Sequence, residues 1–258
     1  MAIYSLKKSY QLKDLKEVTF KDLWGDHGIF TTMWIFGKPA KILFFENHIR
    51  NLIKSLQAYG IKKKSLKKDI LKIINKNLIK KSNYNHLLRI AVNKKIISIS
   101  LRNRISPKLD FNLQLLNFKR QKPQYKNLKY KKILSYLSKM DNSKSDIGLT
   151  FKNKILETGT SNLLFIKGKK FYSPKKDYYE GITYKYFKSK VKKIYKKEIF
   201  VKELKKFDEI LLIGSGKGVT SVKTIRQIGW KRKNLKHFKI LSKYYNSITN
   251  KCPPYRLI

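Results

Sequence analysis

The sequence predicts a mixed α/β (α+β) fold in two domains: a small N-terminal α/β domain and a larger, β-rich C-terminal domain with flanking helices. Three observations predict it. Short runs of β-branched and aromatic residues, bounded by glycine or proline turns, occur in both halves of the chain and are the pattern of strands. Between them stand stretches with apolar residues every three or four positions, the pattern of helices packed on a sheet. The segment Lys119-Arg120-Gln121-Lys122-Pro123 is polar, basic and broken by proline, and it reads as a linker. The domains are then 1–118 and 126–258, joined by 119–125, and 258 residues are enough to bury a real core.

In chain order, residues 1–25 alternate irregularly and predict an edge strand and a connection. Residues 28–36 form a β-branched and aromatic run, followed by a Gly37-Lys38-Pro39 turn and a second run, Ile42-Leu43-Phe44-Phe45, which together predict a hairpin. Ile49, Leu52, Ile53, Leu56 and Tyr59 mark one face of a helix that stops at Gly60. Ser65 is placed to cap a second helix with Ile70, Leu71, Ile74 and Leu78 inward. Three strands at 87–92, 96–101 and 111–118 complete the first domain. After the linker come a helix from Tyr130 through Met140 and a strand-turn-strand unit from Lys154 to Pro174. Gly181 then opens a helix whose apolar spacing runs through Phe187, Val191, Ile194 and Tyr195. Glu209-Ile210-Leu211-Leu212-Ile213 is a buried strand that leads into the loop 214–220. A last amphipathic helix carries Leu235, Phe238, Leu241 and Tyr245.

The charge is extreme. Sixty-one Lys and Arg against 16 Asp and Glu give a net charge of +45, and since eight of the cations are arginine, 53 are lysine. The lysines are spread over every predicted element rather than gathered into one stripe. There is no RNP-type aromatic motif, zinc-finger spacing or glycine-rich repeat, so no specific nucleic-acid partner is expected. Abundant Lys, Ile and Asn beside scarce Arg, Ala, Gly and Pro is the joint bias that an AT-rich genome produces. Cys252 is the only cysteine, which excludes an internal disulfide and a thiolate zinc cluster and fits a reducing, cytoplasmic setting. No apolar run approaches membrane-spanning length, and no membrane is expected. His27, His48, His86 and His237 lack metal-ligand spacing and read as structural or exposed.

The chemistry concentrates between Lys154 and Thr183. A carboxylate, Glu157, stands in the small polar turn at one end, and a helix N-terminus opening at Gly181 stands at the other, offering backbone N–H groups to an anion. That suits a ligand cationic at one end and phosphorylated at the other. The glycine-rich loop Gly214-Ser215-Gly216-Lys217-Gly218 is neither a P-loop, because Val219 follows Gly218 where Lys-Ser/Thr belongs, nor a G-x-G-x-x-G fingerprint.

Glu157 followed by Thr160-Ser161-Asn162-Leu163, a Lys167-Gly168 turn, Ser173-Pro174 and Gly181-Ile182-Thr183 resembles the fold-type IV pyridoxal-phosphate enzymes. That is the class IV aminotransferase family, which includes branched-chain and D-amino-acid aminotransferases and 4-amino-4-deoxychorismate lyase. The resemblance implies pyridoxal 5'-phosphate as cofactor. It makes Lys126, in Lys126-Asn127-Leu128-Lys129-Tyr130 and 31 residues before Glu157, the lysine that carries the cofactor, in preference to Lys129. It places Glu157 at the pyridine nitrogen and the phosphate on Ile182, Thr183 and Ser215. It offers Thr31 and the Gly216 N–H to substrate. The family commonly has an arginine three residues after the histidine of the first helix. Asn51 holds that place after His48, and Arg50, one step earlier, is the candidate phosphate contact. Tyr184 and Lys129 likewise replace a family arginine and asparagine.

Thr31-Thr32 and the short chain tilt the expected activity to the lyase, which releases pyruvate and 4-aminobenzoate in folate synthesis. Amine transfer between an amino acid and a keto acid is the alternative. A family member without cofactor, motivated by Asn51 and Tyr184, and a basic nucleic-acid binder are readings of another class. The resemblance also implies a homodimer.

Overall fold

The computed structural model describes residues 4–79 and 82–255 and clusters into two units. Met1–Arg104, Tyr125–Lys131 and Lys251–Ile258 belong to the first, and Ile105–Gln124 with Lys132–Asn250 to the second.

The first unit is built from β1 (Tyr4–Gln11), β2 (Glu17–Val18), β3 (Gly28–Gly37), β4 (Lys41–Ile42), α1 (Phe45–Ala58), α2 (Leu66–Asn77), β5 (Tyr84–Asn93) and β6 (Ile96–Asn103). Its sheet runs β2-β1-β6-β5-β3-β4, with every pair antiparallel. One face is apolar because alternate residues share a side of a strand. Met33 and Ile35 of β3 and Leu88 and Ile90 of β5 meet Ile49, Leu52 and Leu56 of α1 and Ile70, Ile73 and Ile74 of α2 in one core. Each such side chain contributes about 1.5–3 kcal/mol when fully buried.

Several local expectations shift. The second hairpin strand stops at Ile42, because Phe44 takes a left-handed conformation (φ 55°) and α1 begins at Phe45. Gly60, with φ 77°, ends the helix as its sequence predicts. Ser65 already has helical backbone angles, so its hydroxyl donates to the Asp69 carboxylate at 2.8 Å instead of capping the backbone. Ile73 rather than Leu71 turns inward on α2.

The second unit holds β7 (Asp110–Asn117), α3 (Lys131–Leu137, whose first residue falls in the first unit), β8 (Ser145–Phe151), β9 (Lys154–Thr158), β10 (Asn162–Lys167), β11 (Lys170–Pro174), α4 (Ile182–Lys190), β12 (Ile194–Lys197), β13 (Glu209–Gly214), β14 (Gly218–Ile225), β15 (Trp230–Lys231) and α5 (Lys236–Asn250). The strands form one mixed sheet in the order β12-β11-β10-β13-β14-β7-β8-β9, with β15 paired to β14. Phe111, Leu113, Ile155, Leu163, Phe165, Leu212, Val222 and Trp230 share its core.

Two differences from expectation are informative. The strand read at 111–118 belongs to this sheet, parallel to both β8 and β14, and not to the first. The helix read through Tyr195 ends at Lys190. Ile194 and Tyr195 pair instead with Phe171 and Tyr172 of β11, and the two tyrosine rings lie 5.6 Å apart. Strand pairing outweighs apolar spacing here. Glu209, fully buried, closes the N-terminus of α5 by accepting the His237 and Phe238 N–H groups at 2.9 and 3.0 Å. Among the described residues, no helix is long and apolar enough to cross a membrane.

Candidate active site

In the first unit the segment 126–128 lies against the start of β3. The Phe30 N–H donates to the Lys126 carbonyl at 2.9 Å, and the Leu128 N–H donates to the Gly28 carbonyl at 2.9 Å. Gly28 is required there, since a Cβ would sit 2.3 Å from the Val92 carbonyl oxygen and 2.6 Å from Leu128. This pairing fixes the backbone of Lys126 and sets its amine 5.0 Å from the centre of the Phe30 ring. Trp24 and Tyr130 pack edge-on against the same ring at 4.8 and 5.5 Å. Lys129 instead is exposed and donates to the Gly25 carbonyl at 2.6 Å.

Arg89 enters this aromatic cluster from β5. Its guanidinium lies 3.7 Å over Trp24 and 5.7 Å from Phe30, and it bonds the backbone carbonyl and the carboxylate of Asp22. Burial lowers its pKa to about 10, with Asp22 opposing, so it stays a cation at neutral pH. Its Nε has no partner among the described residues. On the opposite face of β3 the Thr31 hydroxyl and His48 Nδ1 are 2.8 Å apart. Burial, and then the charge of Lys126, push the His48 pKa down to about 3, so the imidazole is neutral. Thr31 is therefore held on the helix side of the strand, and Thr32 is the member of the pair that shares a face with Arg89. Arg50 is exposed on α1, and Asn51 beside it is half-buried.

In the second unit Glu157 stands within β9 and is 5% exposed. It meets a residue that the sequence pattern assigned to the linker. Arg120, 2% exposed, grips it with both arms, Nε to Oε1 at 2.7 Å and Nη2 to Oε2 at 3.1 Å. Arg120 Nη2 also donates to the Pro123 carbonyl at 2.7 Å, and the Tyr179 N–H reaches Glu157 at 3.3 Å. Asn162 ties the following turn to the entry of α4: its Oδ1 accepts the Gly181 N–H at 2.9 Å, and its amide donates to the Tyr179 carbonyl.

Gly181 is extended, and no side chain caps α4. Ile182 and Thr183 open the helix, and the Thr183 hydroxyl lies 3.3 Å from that of Ser215. Ser215 and Gly216 form, with Lys217, the tight turn between β13 and β14, where Gly214 pairs with Gly218. Two hydroxyls and a helix N-terminus thus converge as an anion-binding donor set. No group of His, Cys, Asp and Glu suited to a metal occurs among the described residues.

The family model for amino-transferase class IV matches residues 28–225, from the first residue of β3 to the last of β14. The chain belongs to the class IV aminotransferase family. It is an enzyme of that family, whose members depend on pyridoxal phosphate. Solved structures agree in fold. A branched-chain aminotransferase from Thermoproteus uzoniensis, with norvaline, superposes at a TM-score of 0.74 with 15% identity, covering 97% of this chain and 96% of that one. A 4-amino-4-deoxychorismate lyase, so described provisionally, from Legionella pneumophila gives 0.68 and 20%, covering 86% and 91%. A branched-chain amino acid aminotransferase from Thermobaculum terrenum, in its PLP-bound holo form, gives 0.73 and 14%, covering 95% and 94%. No match is found among curated proteins.

The residues present fit the class IV cofactor. The Thr183 and Ser215 hydroxyls at an uncapped helix start suit a phosphate monoester. Although Arg120 engages both oxygens of Glu157, each carboxylate oxygen accepts more than one hydrogen bond, and capacity remains for a ring N–H. Arg120, Arg89 and the contact between Thr31 and His48 are what the motifs missed. An arginine inside the apolar run 87–92 was the one available signal for Arg89.

Proposed function

We propose that the protein is a 4-amino-4-deoxychorismate lyase of the class IV family, with amino-acid amine transfer as the second reading. The observation that carries a pyridoxal-phosphate reaction is the second unit's pairing of a buried carboxylate, Glu157, with the Thr183–Ser215 hydroxyl pair at a helix N-terminus. Thr31-Thr32 favours the lyase.

Lys126 would hold the cofactor through its amine, and the same amine would move the proton at the carbon bearing the substrate nitrogen. Bound pyridoxal phosphate supplies the electron sink for that carbon. Glu157 holds the ring proton, and Arg120 fixes the carboxylate's orientation and balances its charge. Ile182, Thr183 and Ser215 bind the phosphate. The Gly216 N–H takes substrate carboxylate. A homodimer acting in the cytoplasm completes the proposal.

The test is a product assay on cofactor-loaded protein. With 4-amino-4-deoxychorismate alone, 4-aminobenzoate and pyruvate appear in equal amounts. Product that appears only when an amino acid and a keto acid are supplied together selects the transaminase reading. Neither product would refute both.

A further inference from the structure

Asp146 of β8 is fully buried, yet none of the roles above uses it. Its carboxylate is surrounded by donors: the Ile147 N–H at 2.8 Å, the Thr158 hydroxyl at 2.9 Å, the Thr160 hydroxyl at 2.7 Å and the Lys217 amine at 2.6 Å. Its side-chain partners come from two separate turns. Thr158 and Thr160 flank the turn that follows Glu157. Lys217 is the third residue of the turn that presents Ser215 and Gly216. The two turns also lie close together, since a Cβ added at Gly214, the residue before Ser215, would sit 3.0 Å from the Ser161 hydroxyl and 3.1 Å from the Thr160 carbonyl.

A lysine in a tight hairpin turn ordinarily reaches into water. Lys217 folds inward, its side chain 11% exposed and its amine 4.8 Å from the Phe111 ring. Burial lowers its pKa, and Asp146 opposes that shift. Burying such a pair gains little net stability over apolar packing, so its use is better sought in the geometry it enforces. Both turns present residues of the proposed site.

We propose that the Lys217–Asp146 ion pair is a latch that holds the Ser215-Gly216 turn at its spacing from the α4 N-terminus, making Lys217 and Asp146 positioning residues for the phosphate end of the site. The inference rests on the pyridoxal-phosphate reading. Without the latch the Ser215 hydroxyl no longer keeps its 3.3 Å approach to Thr183, and the phosphate loses a donor while the ring and the amine keep theirs.

The experiment compares pyridoxal phosphate with pyridoxal, which lacks the phosphate, by absorbance titration of the full-length protein. Lys217→Met is expected to weaken pyridoxal phosphate by about tenfold, the scale of one hydrogen bond to a charged group, while pyridoxal affinity is unchanged. Lys217→Arg, which retains the cation, is expected to restore most of that loss. Since Lys217→Met strands a buried carboxylate, the double variant Lys217→Met/Asp146→Asn serves as a folding control and is expected to show the same selective loss. A folded Lys217→Met or double variant that keeps the full preference for the phosphate form, or that weakens both ligands alike, overturns the latch. Wild-type protein that binds the two ligands equally would overturn the phosphate site itself, and the latch with it.

Discussion

Arg120 shows most clearly what single residues decide. Its side chain is buried against Glu157 across 37 residues of sequence, with a two-point geometry that a lysine does not reproduce. Removing one partner leaves a buried charge unbalanced, so Arg120→Met is expected to cost about 3–5 kcal/mol in denaturant unfolding. Arg120→Lys is expected to recover part of that. A loss below about 1 kcal/mol for Arg120→Met would mean the carboxylate is solvated or otherwise paired. His48 gives a pH signature. Its folded pKa is about 3, against an ordinary value near 6.5. Between these values the unfolded chain binds a proton that the folded one refuses, so stability falls as pH drops from 6.5 toward 3, by up to about 1.4 kcal/mol per pH unit. Urea unfolding of wild type and His48→Asn across that window is expected to show a shallower slope for the variant. Equal slopes would place the titration elsewhere. Lys126 and Glu157 were proposed from the sequence because they sit in ordered submotifs. Arg120 was not, because a polar run broken by proline looks the same whether its arginine points to water or to a buried acid.

At the scale of elements, the legible features were those set by local chemistry. The stop of α1 at Gly60, the α4 start after Gly181 and the buried strand β13 follow from glycine and from apolar runs. Partner choice was not legible. Nothing within residues 111–118 says that β7 pairs parallel to β8 and β14, and nothing in Val191 to Tyr195 says that β11 is waiting beside it. The close approach of β3 to β5 and to 126–128 yields a prediction at this scale. Gly28→Ala forces a methyl into the Val92 carbonyl and Leu128, and is expected to lower stability by about 1–3 kcal/mol. It is also expected to weaken cofactor retention, because Lys126 hangs from the same pairing. A variant as stable as wild type would show that the strands separate there at no cost.

Over the whole molecule the mixed fold in two parts followed from periodicity, while the charge did not point to function. A surplus of +45 repels itself at every separation shorter than the screening length. That length shrinks from about 30 Å at 0.01 M salt to about 8 Å at 0.15 M. The melting temperature is therefore expected to rise over that range, and a flat or falling curve would show that counter-charges already neutralise the surface. Binding to duplex DNA, if measured, is expected to be sequence-independent and to fade steeply with the same salt.

The assignment of the cofactor-bearing amine decides the rest. Protein loaded with pyridoxal phosphate, reduced with borohydride, digested and weighed by mass spectrometry is expected to carry the cofactor's mass on the peptide containing Lys126, and Lys126→Ala protein to carry none there. Cofactor mass on another of the 53 lysines, or on none of them, would contradict the account.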